Sequence, residues 1–141
     1  MKFNIYLYLV IIIFGSSFSN EANSAPITIT QVSNLNFGTA LWGDPAKTIP
    51  PGNRENAENA SFLVRGDARR TFIISLPSQI WLNHISRSDR IEVNSFDSRP
   101  NNTKIGKNGE VLILVGARRE LIPSTISPGS YSGAFTVTVI Y

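Results

Sequence analysis

Residues 130–141, Ser-Tyr-Ser-Gly-Ala-Phe-Thr-Val-Thr-Val-Ile-Tyr, decide the fold class of this chain. Every second position is aromatic or aliphatic except for one glycine, and the positions between them are mostly Ser and Thr. Because successive side chains of a β-strand point to opposite faces, this period of two is typical of a strand with one face on a hydrophobic core. The stretch predicts a long strand over 130–141, with one face formed by Tyr131, Gly133, Phe135, Val137, Val139 and Tyr141.

The same alternation recurs along the preceding sequence, where Val, Ile, Thr and aromatic residues are concentrated in short runs. Gly and Pro separate the runs, as expected of turns, and no segment after residue 24 keeps a helical period. The pattern predicts an all-β protein of about eight strands, arranged as a sandwich or a barrel. The predicted strands are 26–32, 34–41, 59–65, 71–77, 80–85, 90–96, 110–117 and 130–141.

Three local features refine this prediction. The segment 110–117 is apolar on both faces, which predicts a central strand covered on both sides. Val32 interrupts a run of odd-numbered apolar positions, and such a slip predicts a bulge or a crossing between sheets. Residues 43–59 are rich in Pro, Gly and charge, so they form either a functional loop or a loop that contains a short strand. The side chains predicted to be buried are Phe37, Phe62, Phe72, Ile74, Phe135 and Val137.

The first 24 residues have the features of a secretory signal peptide. Lys2 precedes a short apolar run over 5–14, which is shorter than the roughly 20 residues that a membrane span needs. Small residues at Ala22 and Ser24 predict cleavage after Ser24. The expected domains are therefore a signal peptide, 1–24, and a β-domain, 25–141, which would lie in the periplasm, on the cell surface or outside the cell. The alternative is an uncleaved membrane anchor; no second apolar run predicts a span in the mature chain.

Composition excludes several kinds of chemistry. The chain has 141 residues, a net charge of +3, one His and no Cys. It therefore has no disulfide, no thiolate metal site and no pair of His ligands within one chain. Catalytic, cofactor-binding and metal-binding residues are all predicted to be absent, and the protein is not expected to be an enzyme.

Two motifs have a functional and a structural interpretation. His84 is the only imidazole, and no Ser or Cys partner is fixed by spacing, so a structural or surface role is expected. Arg65-Gly66-Asp67 spells a tripeptide that some host-cell receptors bind, but a hairpin turn explains the same residues. The turn is the favoured interpretation.

The charged residues give no specific site. The basic residues Arg69-Arg70, Arg87, Arg90 and Arg118-Arg119 could contact anionic polysaccharide or nucleic acid, but solvated strand ends are expected. They also lack the interleaved aromatics of a single-strand-binding groove, so no nucleic-acid partner is predicted. The carboxylates of the long loop have no spacing typical of glycoside hydrolysis or of Ca²⁺ binding. These carboxylates are Asp44, Glu55 and Glu58.

Six short motifs follow one another along the chain: Leu35–Thr39, Asn59–Val64, Gly66–Ala68, Phe72–Pro77, Val115–Ala117 and Pro128–Tyr141. This ordered set resembles a family of secreted bacterial domains of unknown function, which is itself similar to spore coat protein U and to archaic chaperone–usher pilus subunits. The resemblance covers nearly all of the chain after the signal peptide. It implies an immunoglobulin-like β-sandwich, a role at the cell surface and no catalytic residue.

The N-terminal segment departs from the pilus-subunit pattern. Such subunits carry an extension that donates a strand to the next subunit, whereas only Ala25–Thr30 are available here. These residues are either a free donor arm or part of the domain's own first strand. We expect the second: 26–32 and 34–41 are then two short strands of the domain, and 130–141 lies beside one of them.

The expected function is that of an exported structural or adhesive surface protein, a pilus-like or coat-like subunit that assembles through pairing of strand edges. The expected partners are other copies of the chain or related subunits, together with a periplasmic chaperone and usher. The alternative is a monomeric binding module for carbohydrate or another surface ligand, which would use the 43–59 loop or the indoles of Trp42 and Trp81.

Overall fold

A computed structural model describes residues 24–100 and 103–141 of the chain. These residues form strands and irregular segments, and none of them belongs to a helix long and apolar enough to cross a membrane. The predicted all-β class is confirmed. The predicted signal peptide, 1–24, lies outside the described residues apart from Ser24.

Nine strands follow one another in the described residues. They are β1 (Thr28–Ser33), β2 (Lys47–Ile49), β3 (Ala60–Arg65), β4 (Ile73–Ser75), β5 (Gln79–His84), β6 (Arg90–Arg99), β7 (Glu110–Arg119), β8 (Tyr131–Ser132) and β9 (Thr138–Ile140).

Seven of these strands form one antiparallel sheet that is curled into a half-barrel. The strand order is β1-β3-β7-β6-β5-β8, and β2 pairs with the last three residues of β7. The other two strands, β4 and β9, form a separate antiparallel sheet. The predicted antiparallel layers are therefore present, but they are unequal in size.

The hydrophobic core lies where the small sheet packs against β3 and β7. Phe62 and Phe72 are buried, as predicted. Ile74, Phe135 and Val137 pack against the core but are only half-buried. The buried core residues are Ala60, Phe62, Val64, Phe72, Ile105, Ile113, Val115 and Val139.

Strand β7 is central and is covered on both faces, as its apolar sequence predicts. Ile113 and Val115 point into the core, while Leu114 is buried on the opposite face. That opposite face is crossed by the segment that follows β2. A Cβ atom at Gly116 would collide with the backbone of Ile49 and, at 2.6 Å, with the Pro51 nitrogen. Glycine is therefore required for β2 to lie this close to β7.

Two β-bulges change which residues face the core. The pairing of β1 with β3 shifts between Gln31 and Ser33, so the predicted irregularity at Val32 is a bulge. A second bulge lies in β6, where the pairing with β7 shifts between Asn94 and Asp97 and Ser95 has a φ of 51°. An extra residue in a strand moves the following side chains to the other face.

The predicted strand 34–41 is wrong, because these residues form no strand. The predicted strand 130–141 is interrupted: β8 pairs with β5 in the large sheet, and β9 pairs with β4 in the small one. Residues 133–137 connect them, so this segment passes from one sheet to the other. The expected pairing of the C-terminal strand with 26–32 or 34–41 is therefore also wrong. Alternation of apolar and polar residues indicates which side chains share a face. It does not indicate whether a neighbouring strand is present.

The structure confirms the expected place of the first strand and decides between the two alternatives that the sequence left open for the long loop. β1 lies within the domain, where Thr28 to Ser33 pair with β3. The 43–59 loop contains a short strand, β2, that pairs with residues 117–119.

The difference in burial between two phenylalanines gives the first testable prediction. Phe72 is 1% exposed, so Phe72→Ala is expected to lower the free energy of unfolding by about 3–5 kcal/mol. Phe135 is half-buried, so Phe135→Ala is expected to cost less, about 1–3 kcal/mol. Urea denaturation of both variants measures these losses. A larger loss at Phe135 than at Phe72 would contradict the observed core.

The second prediction tests the crossing of β2 over β7. Gly116→Ala is expected to lower the free energy of unfolding by about 1–3 kcal/mol, because the new methyl group meets backbone atoms that have no rotamer to relieve the overlap. Native-state hydrogen exchange should show the loss of protection concentrated in residues 47–49. Unchanged stability and unchanged exchange would show that β2 does not lie against Gly116.

Candidate functional site

An open groove of about 1190 Å³ is formed by the described residues. It lies between two walls, residues 34–42 and residues 126–135. Its floor is apolar and is formed by side chains of β3, β5 and β6. The floor residues are Phe62, Ile80, Leu82, Ile91 and Val93.

Both walls of the groove contain backbone that no neighbouring strand pairs with. In the first wall, the Asn36 N–H donates to the Glu58 carbonyl at 2.8 Å, and the Lys47 ammonium donates to the Phe37 carbonyl at 3.0 Å. In the second wall, residues 134–136 make no backbone hydrogen bond to another described segment. The backbone N–H and C=O groups of residues 134–136 are therefore available to a partner or to water.

An exposed indole and an exposed leucine lie at the rim of the groove. Trp42 is 58% exposed, and its indole N–H donates to the Ile126 carbonyl at 3.0 Å, which connects the two walls. Leu41 is 72% exposed beside it. Large apolar side chains clustered at the rim of an apolar groove are typical of a binding surface. Phe37, which was predicted to be buried, also lines the groove and is half-buried.

A buried cation lies at one end of the groove. Arg119 is only 5% exposed, and its guanidinium donates to the carbonyls of Glu120, at 3.0 Å, and Pro45, at 3.2 Å. Its Nε atom has no hydrogen-bond partner among the described residues. Within the described residues, no carboxylate lies at ion-pair distance from Arg119.

A cluster of polar side chains holds the second wall in place. The Asp89 carboxylate accepts a hydrogen bond from the Ser127 N–H at 3.0 Å, and the Tyr131 hydroxyl donates to the Ser127 carbonyl at 2.6 Å. The hydrogen bonds from Ser127 hold the pKa of Asp89 below its ordinary value. Loss of solvent contact, with a smaller contribution from the Asp89 carboxylate, raises the pKa of Tyr131.

His84 belongs to the same cluster, and its geometry agrees with the expected structural role. The Ser86 N–H donates to Nδ1 at 3.0 Å, so Nδ1 is the acceptor and Nε2 carries the proton. Nε2 lies 3.2 Å from the Pro128 carbonyl, to which it then donates. The ring also meets Tyr131 edge-on, with a centroid distance of 5.0 Å. Nδ1 thus holds the turn that follows β5, and Nε2 connects β5 with the loop before β8.

The Arg65-Gly66-Asp67 tripeptide is engaged within the chain at both charged ends. Arg65 pairs with Glu110 at 2.6 Å, and Asp67 pairs with Arg70 at 3.0 Å. Gly66 is required for a different reason from the expected one: its φ is not positive, but a Cβ atom there would collide with the Tyr141 hydroxyl. The favoured interpretation as a turn agrees with these contacts.

The predicted charged residues are dispersed over different contacts. Asp44 accepts from the Leu41 N–H at 2.8 Å, Glu58 pairs with Lys47 at 2.6 Å, and Glu55 bonds the Ser61 hydroxyl. Within the described residues, no three carboxylate, His or Cys side chains are grouped as metal ligands would be.

The basic residues are equally dispersed. Arg90 stacks over Trp81 at 4.3 Å from the ring centroid, Arg70 stacks over Tyr141 at 3.7 Å, and Arg118 lies 3.5 Å from Glu120. Each of these three arginines therefore contacts a different partner.

Sequence reasoning missed three residues that organise the structure. Arg119 was read as a solvated strand end, although it is buried in the groove. Asn59 is fully buried and bonds the Pro51 carbonyl at 2.7 Å, which shapes the long loop. Tyr141 bonds the Asp67 N–H at 2.6 Å. For Arg119 and Asn59, the sequence offers one sign of burial: each is a polar residue within, or directly before, a strongly apolar strand.

Comparison with known proteins places the chain in a family. The sequence model of DUF4402, described as a domain of unknown function, matches residues 27–141. The chain belongs to the DUF4402 family. This agrees with the expected family of unknown function, but no comparison links the chain to spore coat protein U or to pilus subunits. No curated protein and no solved structure gives a significant match.

The Asp89 contact gives a prediction of pH dependence. Because the pKa of Asp89 is lower in the folded protein, its contribution to stability is present above the ordinary carboxyl pKa of about 3.9 and is lost as pH falls through the folded value. Asp89→Asn should therefore be less stable than the parent at neutral pH, and the difference should shrink towards pH 2.5.

Urea denaturation across this pH range tests the prediction, with Asp97→Asn as the control. Asp97 accepts a hydrogen bond only from the neighbouring Ser98 N–H, at 2.8 Å, among the described residues. A difference between parent and Asp89→Asn that stays constant with pH would contradict the assigned contact.

Proposed function

We propose that this DUF4402 protein is an exported bacterial surface subunit that assembles with other copies of itself by adding an extended segment to the open groove. The observation that carries the proposal is the second wall, where residues 134–136 make no backbone hydrogen bond to another described segment beside an apolar floor. Extended backbone with unpaired N–H and C=O groups is a template for strand addition.

The groove supplies both parts of such an interaction. Backbone groups of 134–136 would give hydrogen bonds that are independent of the partner's sequence, and the apolar surface formed by Leu82, Ile91 and Phe135 would receive alternate apolar side chains. An added strand would remove these side chains from water. The resulting gain is about 25 cal/mol for each Å² of apolar surface that is buried.

Export supports the same proposal. The apolar run over 5–14 and the small residues before Ala25 predict secretion. A chain that carries an open apolar groove during transit is expected to need a periplasmic chaperone, and the resemblance to pilus subunits suggests a chaperone of that kind. The charged end at Arg119 would favour a partner segment with a carboxylate.

The rim favours one alternative function. Exposed indoles stack on sugar rings, and Trp42 is 58% exposed at the mouth of the groove. A monomeric carbohydrate-binding module would use this indole and the polar side chains of the first wall. Trp81 contributes less to such a surface because it is half-buried under Arg90.

The test compares two exposed leucines. Leu41→Asp places a charge in the groove, whereas Leu121→Asp places the same charge on a side chain that is 53% exposed and does not line the groove. The oligomeric state of the exported protein is measured by light scattering over a range of concentrations. The parent and Leu121→Asp are expected to associate, and Leu41→Asp should associate at least about tenfold more weakly, because an unpaired carboxylate would have to leave water.

Each result decides between the proposals. A parent protein that stays monomeric at every concentration would refute self-assembly, and binding of oligosaccharides lost in Trp42→Ala would then favour the carbohydrate-binding module. Equal association of Leu41→Asp and Leu121→Asp would show that assembly does not use the groove.

A further inference from the structure

Three distant parts of the chain meet at Ala25, the first residue after the predicted cleavage site. The Ala25 nitrogen donates to Asp67 Oδ1 at 2.9 Å. The Tyr141 hydroxyl donates to the Ala25 carbonyl at 3.2 Å and accepts from the Asp67 N–H at 2.6 Å. Both backbone polar groups of Ala25 are therefore bound by residues that lie more than 40 positions away.

The Asp67 carboxylate is ionised and is held in position. Its Oδ2 atom accepts from Arg70 at 3.0 Å and from the Ser24 hydroxyl at 3.0 Å. The hydrogen bond from Ala25, followed by those from Arg70 and Ser24, lowers the pKa of Asp67. Arg70 is in turn stacked over the Tyr141 ring, so the anionic group, its cationic neighbour and the phenol form one connected cluster.

Glycine at position 66 makes this cluster possible. A Cβ atom at Gly66 would collide with the Tyr141 hydroxyl and lie 2.8 Å from Ile105 Cδ1. Tyr141 can therefore reach the backbone of Asp67 and Ala25 only because residue 66 has no side chain.

Removal of the signal peptide would change the chemistry of the Ala25 nitrogen. Hydrolysis of the Ser24–Ala25 peptide bond by a signal peptidase consumes one water molecule. Ser24 leaves with a carboxylate, and Ala25 retains an α-amino group, which is protonated at neutral pH. The nitrogen that was a neutral amide with one hydrogen becomes a cation with three.

We propose that the Asp67 carboxylate is a binding site for the α-ammonium group of Ala25, while Tyr141 holds the Ala25 carbonyl, so that cleavage converts an amide hydrogen bond into an ion pair that fixes β1 to the domain. A charge-assisted hydrogen bond is roughly twice as strong as a neutral one. Departure of Ser24 also frees Asp67 Oδ2 for the new ammonium. The inference rests on the predicted cleavage after Ser24, which is part of the proposed export.

The experiment uses the exported protein and three altered forms of it. In the first, one additional alanine is inserted between Ser24 and Ala25, which moves the ammonium group away and leaves Ala25 with an amide. The second form is Asp67→Asn, and the third combines both changes. Intact mass of each product establishes its first residue, and urea denaturation at about pH 6 measures stability where the amine is protonated.

The expected result is a coupled loss. The insertion and Asp67→Asn should each raise the unfolding equilibrium constant roughly two- to five-fold, as expected for an exposed ion pair, and the combination should add little to either. Asp97→Asn is the matched control: this carboxylate lies in β6, and the insertion should retain its full effect in that background.

Several outcomes would overturn the proposal. These are a mature chain that begins at a residue other than Ala25, an insertion that leaves stability unchanged, or equal effects of the insertion in the parent and in Asp67→Asn. If Asp67→Asn does not fold, the comparison of the insertion with the parent decides alone. Self-assembly is measured separately through Leu41→Asp, so its failure would leave the outcome of this cycle unchanged.

Discussion

The burial of β7 on both of its faces is the constraint on which the rest of the structure depends. A buried strand must pair its backbone groups fully, because an unpaired N–H or C=O away from water is costly. β7 meets this requirement by pairing with β6 along one edge and with β3 and then β2 along the other. The small sheet covers the face that carries Val115, and the segment after β2 covers the face that carries Gly116. The long loop is therefore a structural cover of the central strand.

Side-chain alternation predicted the strands whose two faces differ in environment. It located β3 within one residue of its observed ends and the bulge at Val32 from one apolar residue on the wrong parity, whereas β7 was predicted from a run that is apolar on both faces. The sequence of β6 also contains a change of parity that marks its bulge. Ile91 and Val93 are inward at odd positions, whereas Phe96 is inward at an even one, and the bulge at Ser95 accounts for the change. Wherever burial decides the side-chain pattern, the sequence carries the register.

Side-chain alternation gave wrong strands in segments that are extended but have no neighbouring strand to pair with. Residues 34–41 and 133–135 line an apolar groove, and an extended wall has the same period as a paired strand. The candidate site was missed for the same reason, since the groove exists only because these two segments are not joined. Tertiary contacts between Asp67, Tyr141 and Ala25 were equally invisible, because they depend on three segments that are far apart in sequence. His84, for which the sequence predicted a structural or surface role, bonds the backbone of Ser86 and of Pro128 through its two ring nitrogens.

The position of β1 limits how an assembly of this kind can form. β1 is paired with β3, and Ala25 before it is bound by Asp67 and Tyr141, so moving this segment into the groove of a neighbour would break contacts that already exist. If β1 left its own domain for the groove of another copy, new backbone pairs would replace those between β1 and β3. The contacts of Ala25 with Asp67 and Tyr141 would be lost. Addition of a different extended segment to the groove breaks none of these contacts and supplies partners for residues 134–136. On this balance, the proposed assembly is favoured when the partner segment lies outside residues 25–33, and the groove and the N-terminal contacts then act independently.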